Sequence, residues 1–174
     1  MADIARMRFC PYCATPLAEI ELEAKVRPTC PACGFRQYAN PVSAVNAVVV
    51  VDAHILLVRR GREPFLGVWA LPGGFVDWGE EAAAAAVREA REETGVEVGI
   101  AAPPLVLTET EDPRGDTLNV NYPCAPLAAG MPAPRAGDDA ADAAWWPLDA
   151  LPALAFANHE RTLVQMGLVV RGAR

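Results

Sequence analysis

Glu89, Glu92 and Glu93 stand at i, i+3 and i+4, so on a helix their carboxylates share one face within a single turn. Three negative charges so close repel one another unless a cation sits among them. Hard oxygen ligands clustered in this way suit Mg²⁺ or Mn²⁺, held partly by protein and partly by substrate phosphates. Arg88 and Arg91 flank the cluster and are placed to brace it. An arbitrary Glu-rich helix is instead a solvated face carrying pairs such as Arg88–Glu92. The upstream Gly73-Gly74 pair favours the metal, because a backbone carbonyl reaches a cation only where side chains are absent.

Four cysteines form a second group, Cys10-Pro-Tyr-Cys13 and Cys30-Pro-Ala-Cys33. Two residues between thiols let both sulfurs of a tight turn face one point. Two such turns supply a closed tetrahedral Zn²⁺ site with no place for water or substrate, and hence a structural one. The competing accounts are two disulfides or four buried thiols, and a reducing cytosol disfavours the first. So short a segment cannot bury a core alone, and the metal would stand in for one. Cys124, in an apolar context, reads as a buried inert thiol.

The elements that must hold these groups are legible in outline. Asp77 followed by Glu80 is a capping-box pattern, the five alanines from Ala82 favour helix, and Gly95 stops it. The helix is thus expected from about residue 78 to 94. Val42 to Val51 reads as a buried strand, Asp52-Ala-His54 as a turn, and Ile55 to Arg60 as the return strand. Strand-like runs follow at Pro104 to Thr110 and Thr117 to Cys124. A loop is expected from Ala128 to Ala144, a closing strand at Ala143-Trp-Trp-Pro147 and a terminal helix over Asn158 to Val170. The texture changes near residue 40, which divides the chain into a module at 1–40 and a domain at 41–174.

Fifteen lysines and arginines against 22 acidic residues leave a net charge of −7, with a pI near 4.8. That balance argues against a protein that coats nucleic acid, while a nucleotide remains open as a substrate if a cation mediates. A 52% apolar share supports a real core. No run approaches the ~20 apolar residues of a membrane helix, and the N-terminus lacks the apolar stretch of a secretory signal. A cytoplasmic location without membrane attachment is the default expectation.

The segment from Gly74 to Val96 resembles the box of the Nudix hydrolases at every specified position: Gly74, Glu80, Arg88, Glu89, Ala90, Glu92, Glu93, Gly95 and Val96. Ala90 is small for its aliphatic slot. The likeness extends to Leu71-Pro-Gly-Gly74 and to Trp146-Pro-Leu-Asp-Ala-Leu-Pro152, and the cysteine pairs resemble the ribbon preceding the catalytic domain in the branch of NADH, ADP-ribose and FAD pyrophosphatases. The resemblance implies an α/β/α sandwich with a mixed sheet, preceded by a small zinc-ribbon module. It implies hydrolysis of a nucleoside diphosphate joined to another group, a small-molecule substrate, releasing a nucleoside monophosphate and a phosphorylated partner. Glu89, Glu92 and Glu93 would bind Mg²⁺, with the Gly73 carbonyl; Arg88 would orient Glu89, and Glu80 would support the junction into the helix.

The Ser-Gln-Pro-Trp-Pro-Phe-Pro stretch of ribbon-containing NADH pyrophosphatases has no counterpart after Val96, which favours ADP-ribose or FAD over NADH. Pro113 lies near a proline often seen in ADP-ribose pyrophosphatases. Two alternatives are a nucleotide-sensing protein without hydrolysis, which would be expected to have lost box carboxylates, and an RNA-binding protein. Arg6, Arg8, Lys25, Arg27 and Arg36 could serve the latter, but Glu19, Glu21 and Glu23 lie among them. A structural role for the module, with a homodimer interface as one form of it, is the expectation. In this family the general base often lies outside the box, and here the acidic loop Glu109 to Asp116 offers Glu111, against the reading of a solvated hairpin tip. Trp78 is the aromatic best placed to stack on a base, against the commoner role of core packing.

Overall fold

The computed structural model describes residues 7–169 apart from 23, 113, 114 and 138; Arg6, Glu23, Pro113 and the expected helix end at Val170 lie outside the described residues. Strands β1 (Ala18–Leu22) and β2 (Lys25–Thr29) form a two-stranded antiparallel sheet of their own, between the two cysteine turns. A second sheet holds β3 (Val42–Val51), β4 (His54–Arg60), β5 (Trp69–Ala70), β6 (Gly73–Phe75), β7 (Val98–Ile100), β8 (Leu105–Glu109), β9 (Thr117–Pro126) and β10 (Ala140–Pro147). The helices are α1 (Ala82–Thr94) and α2 (Ala157–Gln165).

A valine run without polar alternation belongs to a strand covered on both faces, and β3 is that strand. Val45, Ala47 and Val49 face α1 with Ala85, Ala86 and Ala90, while Val48 faces the other way with Leu71 and Leu163 of α2. Period-two alternation thus splits one strand between two helical layers, the arrangement expected of an α/β/α sandwich. The small Ala90, 0% exposed, lets α1 lie close to the sheet. The main order is β10-β4-β3-β9-β7; β3 and β9 run parallel and the other pairings are antiparallel, so the sheet is mixed. Asp52 and Ala53 both take positive φ, 47° and 60°, as a two-residue hairpin turn demands. His54 consequently opens β4 instead of sitting in the turn.

Three boundaries differ from the sequence reading. The helix α1 starts at Ala82, not near Trp78. The capping-box bond does form, with the Asp77 N–H donating to Glu80 Oε2 at 3.1 Å, but it closes a separate turn in which the Glu80 N–H donates to the Asp77 carbonyl. The segment expected as loop to Ala144 becomes strand at Ala140 by pairing with β4. The terminal helix ends at Gln165. Among the described residues no helix is long and apolar enough to cross a membrane.

Candidate active site

Gly73 and Gly74 lie on β6, antiparallel to β3, directly before the turn that leads into α1. A Cβ at 74 would overlap the Glu89 carboxylate, and one at 73 would overlap the Val45 carbonyl. Glycine is therefore what lets the strand and the acidic face of α1 approach. The Gly73 N–H donates to Glu93 Oε2 at 2.9 Å. The three box glutamates descend in exposure: Glu92 is exposed, Glu89 half-buried, and Glu93 only 8% exposed.

Arg88 ties the face together. Its Nε and Nη2 donate to the two oxygens of Glu80 at 2.8 and 2.9 Å, a bidentate pair. Nη1 donates to Glu89 at 2.8 Å and Glu92 at 3.1 Å, and Nη2 also reaches the Phe75 carbonyl at 3.3 Å. These bonds hold the Glu80 carboxyl down to about 2. Burial works in the opposite sense on the others. It pushes Glu93 up to about 8, against the Gly73 N–H and with the help of Glu89 and Asp139, and it raises Glu89 against the pull of Arg88. Carboxylate oxygens are the hard donors that divalent cations favour.

The cluster occupies one side of a cleft of about 250 Å³. Other walls carry groups that sequence reasoning missed. Glu109, at the inward end of β8, accepts the Asn158 N–H on Oε2 and the Glu111 N–H on Oε1, both at 2.8 Å. Asp112, Asn119, Asn158 and His159 line the cleft with it. His159 Nδ1 accepts the Leu71 N–H at 3.2 Å, and burial holds its imidazolium down to about 3, so the ring is neutral. Asp139 enters because the loop before β10 docks on α1: the Arg135 N–H donates to Thr94 O at 2.7 Å and the Gly137 N–H to Glu93 O at 3.2 Å. Gly61 donates to the Asp139 carbonyl, and Arg62 pairs with the Asp139 carboxylate. Arg60 and Arg62 add positive charge to the same cleft.

Two expected residues are elsewhere. Glu111 is exposed and does not line the cleft; inward alternation ends with β8 at Glu109, and the turn beyond carries Asp112 inward in its place. Trp78 is fully exposed, and the phenylalanines that line the cleft are Phe75 and Phe156. Cys124 is buried in the core, and burial raises its thiol to about 11.

The four other cysteines converge far from α1 in sequence. Their sulfurs all lie within 4.8 Å of one another, with pairs at 3.5, 3.5 and 3.7 Å, and none is disulfide-bonded. Sulfurs placed ~2.3 Å from a tetrahedral centre would be separated by ~3.8 Å, whereas a disulfide would need ~2.05 Å. The cluster is compatible with zinc.

The sequence profile of the NUDIX domain matches residues 40–166. The chain is 38% identical over 130 residues to a protein of Methanocaldococcus jannaschii named ADP-ribose pyrophosphatase, covering 74% of this chain and 75% of that one. It is 31% identical over 172 residues to the NAD-capped RNA hydrolase NudC of Stutzerimonas stutzeri, covering 98% of this chain but 59% of the relative. Among solved structures, a NUDIX hydrolase from Nitrosomonas europaea superposes with a TM-score of 0.77 at 24% identity, covering 90% of this chain and 88% of that one, a likeness of fold.

Proposed function

This chain belongs to the Nudix hydrolase family, and from that premise we propose that it cleaves the pyrophosphate of ADP-ribose or FAD, yielding AMP and a phosphorylated partner. The observation that carries the reading is the graded carboxylate face of Glu89, Glu92 and Glu93 against Gly73 in the cleft wall. The 38% identity to an ADP-ribose pyrophosphatase supports the substrate. These three glutamates, with the Gly73 carbonyl, would hold Mg²⁺ or Mn²⁺. When bound, the cation offsets the charge of the pyrophosphate and lowers the pKa of coordinated water.

The chain's own residues do the rest. Arg88, anchored on Glu80, fixes the Glu89 carboxylate in one orientation. Arg60 and Arg62 bring positive charge to the cleft among its carboxylates, where an anionic substrate would meet it. Water adds to one phosphorus, the bridging oxygen leaves with the other phosphate, and a cleft carboxylate takes the proton. Asp112 lines the cleft and Glu111 does not, so we place this base at Asp112 and not at Glu111. A general base contributes roughly 10²–10⁴ in rate. Asp112→Asn should therefore lower kcat by about that factor, and Glu111→Gln by less than about threefold, too little for loss of a base. Cys10, Cys13, Cys30 and Cys33 would hold a structural Zn²⁺ in the module at 1–40, ahead of the domain at 41–174.

A second reading, hydrolysis of NADH or a related dinucleotide, draws on the NudC match, which takes in the cysteine module as well as the cleft. A phosphate-release screen over ADP-ribose, FAD, NADH, diadenosine polyphosphates and nucleoside triphosphates with Mg²⁺ separates the two. ADP-ribose or FAD should give the highest kcat/KM; a preference for NADH selects the second reading, and nucleoside triphosphates as best substrates overturn both.

A further inference from the structure

Helix α2 begins without a cap of its own. Its N-cap residue is Phe156, which offers no side-chain hydrogen bond, although the first N–H groups of a helix have no partner within it. One of them, the Asn158 N–H, donates at 2.8 Å to Glu109 Oε2 at the end of β8. The cap is thus supplied by another element, 49 residues earlier in the chain. The other oxygen of the same carboxylate, Oε1, accepts the Glu111 N–H at 2.8 Å and turns the chain directly after β8. Asp112 follows at once, and its carbonyl accepts the Gly115 N–H at 3.0 Å. Backbone bonds therefore fix Asp112 from both sides where it lines the cleft.

The residue type at 109 matters. Glu109 is 4% exposed, and a carboxylate is costly to bury unless its oxygens are bonded. Glutamine has the same shape but one accepting oxygen and an NH₂ group that only donates, so one of the two backbone N–H groups would face another donor. Two segments of the cleft wall meet on this one side chain: the turn with Asp112, and the start of α2 with Phe156 and His159. A separate tie spans the same junction, from Arg161 Nη1 to the Thr108 carbonyl at 3.2 Å, and it is exposed.

We propose that Glu109 is a positioning residue, which sets where Asp112 stands relative to the acidic face of α1 and acts on the reaction through it. The proposal rests on the reading of Asp112 as the base for its kinetic test, and on the two bonds of one buried carboxylate for its substance.

The test measures kcat, KM for ADP-ribose and the Mg²⁺ requirement for the parent, Glu109→Gln, Asp112→Asn and the double variant. Arg161→Ala serves as the control that loosens the same junction. E109Q should lower kcat roughly ten- to hundredfold, the scale of a misplaced group, with KM and the Mg²⁺ requirement within about threefold. The double variant should match D112N within about threefold, since a residue acting through Asp112 has nothing left to act on. R161A should stay within about threefold of the parent, as loss of an exposed bond implies. Should E109Q not fold, Glu109→Asp, which keeps the charge and falls one methylene short, carries the same cycle. Losses that multiply in the double variant, or a raised Mg²⁺ requirement, give Glu109 a direct part in the chemistry and overturn the proposal. Parental kcat in E109Q, or an equal loss in R161A, overturns it by reducing the tie to stability. The Asp112 carboxyl ¹³C resonance reads position without turnover: it should move in E109Q and stay in R161A. Parent protein that cleaves no pyrophosphate, or D112N at parental kcat, sinks the reaction or the base; an unmoved resonance in E109Q sinks Glu109.

Discussion

The sulfurs of Cys10, Cys13, Cys30 and Cys33 meet through two copies of one local turn, whereas the cleft draws its carboxylates from α1, from the end of β8 and from the loop before β10. In the cysteine module, Cys10 and Cys30 are the only buried apolar residues up to residue 40 among those described. The cleft instead stands on core clusters that fill both faces of the large sheet. One site is its module's core; the other is carried by a core that exists without it. Losing ligands should therefore unfold the first and inactivate the second.

The largest effect expected is on the cleft side. Glu93→Gln keeps shape and removes one charge from the donor set, so turnover should fall by about two orders of magnitude or more through lost metal affinity. Folding should survive, because burial already favours the uncharged form of Glu93 in the metal-free protein. Turnover and thermal unfolding of E93Q, each with and without Mg²⁺, test this pair of outcomes. Unfolding of E93Q would show that the cleft is structural after all.

On the module side the order of damage reverses. Cys30→Ser should lower bound zinc from about one per chain to near none. The spectroscopic signal of the module should be lost while kcat stays within about threefold, since closed structural sites take no part in the chemical step. Metal analysis alongside kinetics checks it, and loss of kcat with the module still folded would join the two regions functionally.

The same contrast governs what could be read from the chain. Both cysteine turns and the acidic face of α1 were legible because each is local, fixed by spacings of three or four residues. The Asp52-Ala53 hairpin was legible for the same reason. Asp112, Asp139 and Asn158 were not. Asp139 reaches the cleft only because Arg135 and Gly137 dock on the C-terminal turn of α1 and Gly61 takes its carbonyl. Asp112 does so because β8 ends at Glu109 and the turn beyond it buries Asp112 and leaves Glu111 exposed. The capping box misplaced the start of α1 because Glu80 serves Arg88 as well as the Asp77 N–H. Non-local register decided each of these, and one sequence does not encode it in spacing.

A smaller effect distinguishes two groups within the cleft. His159 is held neutral down to about 3, while its unfolded value is near 6.5. The unfolded chain takes up a proton that the folded one refuses, so stability present above pH 6.5 is lost as pH falls toward 3, by about 1.4 kcal/mol per unit. Glu93, raised to about 8, has the opposite sign in metal-free protein: its contribution is present below its unfolded value and lost as pH rises through 8. The two oppose each other between pH 5 and 6.5. In E93Q the histidine slope should emerge, about 2 kcal/mol from pH 7 to 5, and E93Q/H159Q should lack it. Denaturant midpoints at the two pH values decide, and identical slopes in the two variants would remove His159 as the cause.

The smallest effect returns to the cysteine turns and asks how alike they are. The Ala14 N–H donates to the Cys10 carbonyl at 2.9 Å and the Gly34 N–H to the Cys30 carbonyl at 3.0 Å, so each residue closes its turn in the same way. Both take positive φ, 56° and 76°. Only one of them is glycine, and an L side chain in that region costs about 1 kcal/mol. Nothing lies within 4 Å of a Cβ added at 34, so Gly34→Ala is charged for backbone alone. It should weaken zinc retention by about that 1 kcal/mol, a factor of roughly five. Ala14→Gly should strengthen retention by up to the same amount, and the double exchange should return close to the parent if the turns are independent. Competition with a chromophoric chelator resolves fivefold changes. If Ala14→Gly instead loosens the metal, the methyl group at 14 packs usefully, and the two turns are not equivalent halves of one site.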